Sequence, residues 1–135
     1  MDDCGFVELD HTADWALKVW APDVESLLVT AAKGMYSLSK TKTMTNEYQN
    51  IVIRHAYLDI EGLLVDFLSE LLFLGEQEKI AAVNYDLKLE NRQLIANLQT
   101  AEIFTQQKEI KAVTYHNLKV VQMKDRLETV IIFDV

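Results

Sequence analysis

One cysteine, one proline and four glycines are spread over 135 residues, and each scarcity removes a class of protein. Cys4 alone cannot close an internal disulfide, so a stapled secreted scaffold is excluded. With no basic and apolar leader at the start, a reducing cytoplasmic setting is expected. Proline and glycine this sparse leave little room for a linker, and neither a low-complexity tract nor an internal repeat is visible. One domain over residues 1–135 is therefore expected, and with half its residues hydrophobic it can bury a sizeable core. Long apolar runs are missing too. The richest stretch, Leu63 to Leu74, is broken by Asp66 and Glu70, short of the roughly 20 apolar residues that span a bilayer, so a soluble protein is expected. Basic charge is scarce: 13 Lys and Arg against 21 Asp and Glu give a net charge of −8. Lys40, Lys42, Lys108 and Lys111 are scattered and form no stripe, which opposes direct binding to a phosphate backbone. A role in RNA chemistry would go through a partner. The acidic surface either keeps the chain soluble or suits cations or a basic protein.

What is present is patterned. Phe6 to Leu9 and Trp15 to Trp20 read as short strands, the second alternating Trp15, Leu17 and Val19 with Ala16, Lys18 and Trp20. Asp23 is a candidate N-cap, and Val24, Leu27, Leu28, Ala31, Met35 and Leu38 follow at helical spacing to about Ser39. Lys40 to Asn46 is polar and reads as a loop, and Glu47 to Leu58 as a strand. Asp59 can cap a second helix with an apolar face of Ile60, Leu63, Leu64, Phe67, Leu68, Leu71 and Leu72, and with Glu61, Asp66 and Glu70 on or near its wet side. Tyr85 to Glu90, a turn at Asn91 and Arg92, and a return strand that begins over Leu94 to Leu98 form a hairpin. Ala112 to Val121 reads as a mixed strand-like segment, Lys124 to Arg126 as a turn and Glu128 to Val135 as a last strand. The economical assembly is an α+β layered sandwich, two amphipathic helices packed on one face of a mixed or antiparallel sheet.

Chemistry-bearing signatures are also few. Gly-rich phosphate loops, CxxC pairs, HExxH and GxSxG are all absent, which weighs against nucleotide binding, zinc binding and hydrolysis. Cys4 with His11 as its base lacks an activating context. Asp10-His11-Thr12-Ala13-Asp14 is either a turn whose side chains cap local backbone groups or a metal-binding loop. At the other end, Asp134 precedes Val135 and its carboxylate, which is either a frayed terminus or two oxygen donors for a hard cation, with Asp14 as a third.

In order, Asp10-His11-Thr12-Ala13-Asp14, Lys111-Ala112-Val113-Thr114-Tyr115-His116 and Ile132-Phe133-Asp134-Val135 closely resemble the motifs of the archease family, and the two helices fall where that family has its helices. The resemblance covers essentially the whole chain. It implies an α/β sandwich that binds a divalent metal, usually Ca²⁺, through Asp14, Asp134 and the last residue, Val135. It further implies a non-enzymatic cofactor protein that promotes guanylation and turnover of an RtcB-type RNA ligase in tRNA splicing or RNA repair. Glu109 occupies the place of an acidic residue implicated in partner activation, although the loop before it is shorter here and lacks the family's histidine, with Lys108 as a candidate replacement. Two alternatives stand beside this. One is a chaperone or assembly modulator of an RNA methyltransferase or other RNA-modifying enzyme. The other is a metal-dependent phosphohydrolase with His11 as base. His116, Trp15 and Trp20 read as structural.

Overall fold

The computed structural model describes residues 3–9 and 15–135. Strands β1 (Gly5–Leu9) and β2 (Trp15–Ala21) lead into helix α1 (Val24–Ser39). The short β3 (Lys42–Thr43) and β4 (Gln49–Ala56) precede α2 (Ile60–Glu78), and β5 (Ile80–Glu90) and β6 (Gln93–Thr105) form the hairpin. The chain finishes with β7 (Ala112–Thr114), β8 (Val121–Gln122) and β9 (Leu127–Asp134).

Both helices start where the sequence places a cap. The carboxylates of Asp23 and Asp59 accept from the N–H groups of Ser26 at 2.8 Å and Gly62 at 2.6 Å, which satisfies donors that have no partner inside the helix. Both helices end on a lysine in the left-handed region, Lys40 at φ 53 and Lys79 at φ 59. Glycine is the usual residue there. The second helix runs past its apolar face to Glu78.

The expected α+β class holds, with all strand pairings among the described residues antiparallel. The strands divide between two sheets. In one, β1, β2, β9 and β7 are neighbours in that order and β8 also joins β9. In the other, β6 is the shared partner of β3, β4 and β5. Helix α1 packs on β1, β2 and β5, and α2 on β4, β5 and β7, so each helix meets both sheets. Leu17, Val19, Leu27, Leu28, Met35, Leu63, Phe67, Leu68, Leu94, Leu98, Ile131 and Phe133 join them in one core cluster.

Two expectations need correction, and two others are sharpened. The expected loop 40–46 contains β3, because Met44 N–H donates to the Glu102 carbonyl at 2.8 Å and so continues the β6 ladder. The return strand that begins over Leu94 to Leu98 runs on to Thr105, pairing with both β5 and β3. The segment 112–121 is not one strand. It turns at Asn117 (φ 55), where Leu118 N–H closes on the Tyr115 carbonyl at 3.0 Å, leaving only β7 and β8 as strand. Glu61 and Asp66, at the edge of the wet side, have partners there: Glu61 accepts from Val120 N–H at 2.9 Å and Asp66 pairs with His55 at 2.8 Å. No helix among the described residues is long and apolar enough to cross a membrane.

Candidate functional site

Three segments distant in sequence meet at one end of the first sheet. Strand alternation sets the chain end: Ile131 and Phe133 point inward and are fully buried, Asp134 points out and is exposed, and Val135 turns back to pack on the core. Beside it, Trp15 pairs with Phe133, so the strand that begins just after Asp14 lies against the strand that ends at Asp134. Asp14, with the rest of 10–14 and so His11, lies outside the described residues. On the other edge of β9, β7 pairs Ala112 with Asp134, and Lys111 N–H donates to the Asp134 carbonyl at 2.8 Å.

The third segment, 106–111, crosses from α1 to this corner like a strap. The Ser39 carbonyl, at the end of α1, accepts from the N–H groups of Gln107 at 3.0 Å and Lys108 at 3.1 Å. Gln106 Nε2 donates to Thr41 Oγ1 at 2.9 Å. Lys108 Nζ stands 5.1 Å from the centre of the Trp15 ring, within range of a cation–π contact. Ile110 is buried, while Glu109 between these anchors is exposed, and no hydrogen bond or ion pair among the described residues engages its carboxylate. Glu109 also lines a cleft of about 600 Å³ between the C-terminal halves of the helices and the strap, together with Tyr36, Glu76, Lys79 and Lys111. Burial pushes the Tyr36 phenol up to about 12 even though its oxygen accepts from Ala82 N–H at 3.1 Å.

The donors at the chain end are oxygens, with neither thiol nor imidazole among them, which suits a hard divalent cation. Asp134 and the terminal carboxylate alone fall short of the six to eight oxygens that Ca²⁺ takes. Among the described residues no group of three or more His, Cys, Asp or Glu side chains could hold a metal. Asp134 therefore suits such an ion in donor chemistry, and Asp14, the further ligand expected from the sequence, lies outside the described residues.

A second cluster is one that sequence reasoning missed. His55 Nε2 and Asp66 are 2.8 Å apart and link β4 to α2. Nearby, Asp59, Asp66, Tyr57, Leu58 and Tyr115 line a shallow cavity of about 410 Å³. Partial desolvation, and then the charges of Asp66 and Asp59, push the Tyr115 phenol up. Among the described residues the one side-chain hydrogen bond of His116 is local, to Asn117 Nδ2 at 3.2 Å, and Cys4 is exposed.

Comparison with known proteins follows this geometry. The sequence model of the archease protein family matches residues 6–135. An archease of Methanopyrus kandleri is 33% identical over 121 residues, covering 84% of this chain and 86% of that protein. Among solved structures, an archease of Thermotoga maritima described as a possible chaperone superposes with a TM-score of 0.73 at 25% identity, covering 94% of each chain. The solution structure of Methanobacterium thermoautotrophicum protein 1598 gives the same score at 23% identity, covering 97% of this chain and 99% of that one, and supports the fold alone.

Proposed function

The chain belongs to the archease family, and from that premise we propose that it is a non-enzymatic, metal-binding cofactor protein that promotes guanylation and multiple turnover of an RtcB-type RNA ligase. The observation that carries this reading is the meeting of three segments: the strand start that follows Asp14, the strap that carries Glu109, and the chain end at Asp134 and Val135. Asp14, Asp134 and the Val135 carboxylate would hold the ion, most suitably Ca²⁺, whose charge would offset the repulsion among three anions brought together. The Asp134 backbone is held for this by its pairing with Ala112 of β7 and by Lys111 N–H, which donates to its carbonyl, while its side chain is exposed. Among the described residues nothing engages the Glu109 carboxylate, which suits it to engage a partner. A protein of this kind acts by contacting two states of its partner unequally, and so shifts an equilibrium or a rate without making or breaking bonds itself. An ordered docking surface lowers the entropy cost of association.

The test is calorimetric Ca²⁺ titration of the untagged protein beside Asp14→Ala, Asp134→Ala and a form extended beyond Val135, each assayed for stimulation of ligase guanylation. Binding and stimulation by the wild type, with both lost in all three variants, is the expected result. Variants that behave as wild type would remove the site assignment. The description of the Thermotoga relative as a possible chaperone favours one second reading, assembly of an RNA-modifying enzyme such as a methyltransferase. Retention of such an enzyme, and of no ligase, in a pull-down with tagged protein would put that reading first.

A further inference from the structure

The strap is tied at both ends by its backbone, through Ser39 at one end and Asp134 at the other, yet the residue between the ties that faces outward is the one assigned to the partner. Backbone ties fix where a segment runs but leave the direction of its exposed side chains free. Ile110 anchors the strap inward, since it is buried in the core cluster. The anchor on the opposite side is Lys108, whose ammonium lies 5.1 Å from the Trp15 ring centre. Trp15 is itself half-buried, packed on the core and paired to Phe133, so it offers a rigid aromatic face.

We infer that Lys108 is a positioning residue: by seating on Trp15 it fixes the strap against β2 and sets the direction in which Glu109 faces the partner. This rests on the ligase reading above and names a residue that acts through another. The contact requires a cation on the strap and a π face on the strand. Arginine in place of Lys108 keeps both requirements, because guanidinium groups stack on aromatic faces at least as well. Methionine keeps the length and apolar bulk and removes the charge. Leucine in place of Trp15 keeps an apolar plug and removes the π face.

The experiment measures the concentration of this protein that gives half-maximal guanylation of an RtcB-type ligase, for wild type, Lys108→Met, Lys108→Arg, Trp15→Leu and the Lys108→Met/Trp15→Leu pair, with thermal unfolding of each recorded alongside. Lys108 lies on an exposed segment, so Lys108→Met will fold. A partly exposed cation–π contact predicts that Lys108→Met needs about two- to fivefold more protein. Lys108→Arg should match the wild type, and Lys108→Met should add nothing further in the Trp15→Leu background. A loss from Lys108→Met that persists undiminished beside Trp15→Leu would show a direct partner contact and overturn the positioning role. If the wild type stimulates and Lys108→Met does so equally, this inference fails while the ligase reading stands. If the wild type gives no stimulation, the ligase reading fails and carries this inference with it.

Discussion

Single side chains do two kinds of work here, capping and filling, and the capping is the more legible from sequence. Asp before an apolar helical period reads directly as an N-cap, and Asp23 and Asp59 both prove to be caps. Hydrogen bonds from the Ser26 hydroxyl and N–H hold the Asp23 carboxyl below its usual 3.8. Its contribution is therefore present above pH 3.8 and fades as the pH falls through the lower folded value. Asp23→Ala should cost about 1 kcal/mol at pH 7, measured by urea unfolding, and the gap to wild type should shrink in strong acid. Tyr36 predicts the alkaline side. With its phenol raised to about 12 in the fold, an unfolded chain loses that proton near pH 10 and the folded chain does not. Stability should therefore fall between pH 10 and 12, by about 1.4 kcal/mol per pH unit for one such group. Tyr85, raised mainly by burial, pushes the same way. Tyr36→Phe should flatten part of that decline while costing about 1 kcal/mol at neutral pH, where Ala82 N–H loses its acceptor. What the sequence could not offer at this scale were pairings between distant residues, Lys108 with Trp15 and His55 with Asp66, because neither spacing nor residue type announces them.

At the scale of elements, both helices and the hairpin followed from local rules, and the errors arose where tertiary pairing overrides local texture. Lys42 and Thr43 are strand only because β6 offers them a ladder. Residues 112–121 have strand-like composition, but the left-handed turn at Asn117 splits them so that β7 and β8 each join β9 separately. Glycine within α1 was another missed signal. Gly34 lies where the helix approaches the first sheet so closely that an added Cβ would stand 2.5 Å from Leu17 Cδ2 and 3.0 Å from Phe6 Cγ. Leu17 is only 1% exposed, so it has little room to yield. Gly34→Ala would gain about 1 kcal/mol of helix propensity against an overpacking cost of about 1–3 kcal/mol. The expected outcome is a net loss of about 1 kcal/mol in chemical denaturation, with β1 the element most displaced. A net gain would mean that Phe6 and Leu17 yield readily and that the approach of α1 is looser than its burial indicates.

For the whole molecule, sequence reasoning supplied the layers and missed the division of strands into two sheets, because alternation shows which face of a strand is buried and never which strand lies beside it. The same limit applies to the corner where 15, 106–111 and 134–135 converge: the candidates at its two ends were identifiable as motifs, whereas the strap between them depends on long-range pairing. If Asp14, Asp134 and the Val135 carboxylate hold one Ca²⁺, the ion ties the start of β2 to the end of β9 and binds only the folded chain. Folded-state binding raises stability by RT ln(1 + [L]/Kd), about 2.7 kcal/mol when free Ca²⁺ is 100 times Kd. For a domain of this size that is a rise in Tm of roughly 10 °C, to be measured by calorimetric melting with and without chelator. Asp134→Ala and an extension beyond Val135 should each abolish the rise while leaving the chelated Tm close to that of the wild type, since Asp134 is exposed and its pairing with β7 runs through the backbone. A rise that survives both changes would place the ion elsewhere, and a chelated Tm that drops sharply would show that the chain end is held by packing of Val135, with stability and metal binding then separable by Val135→Ala.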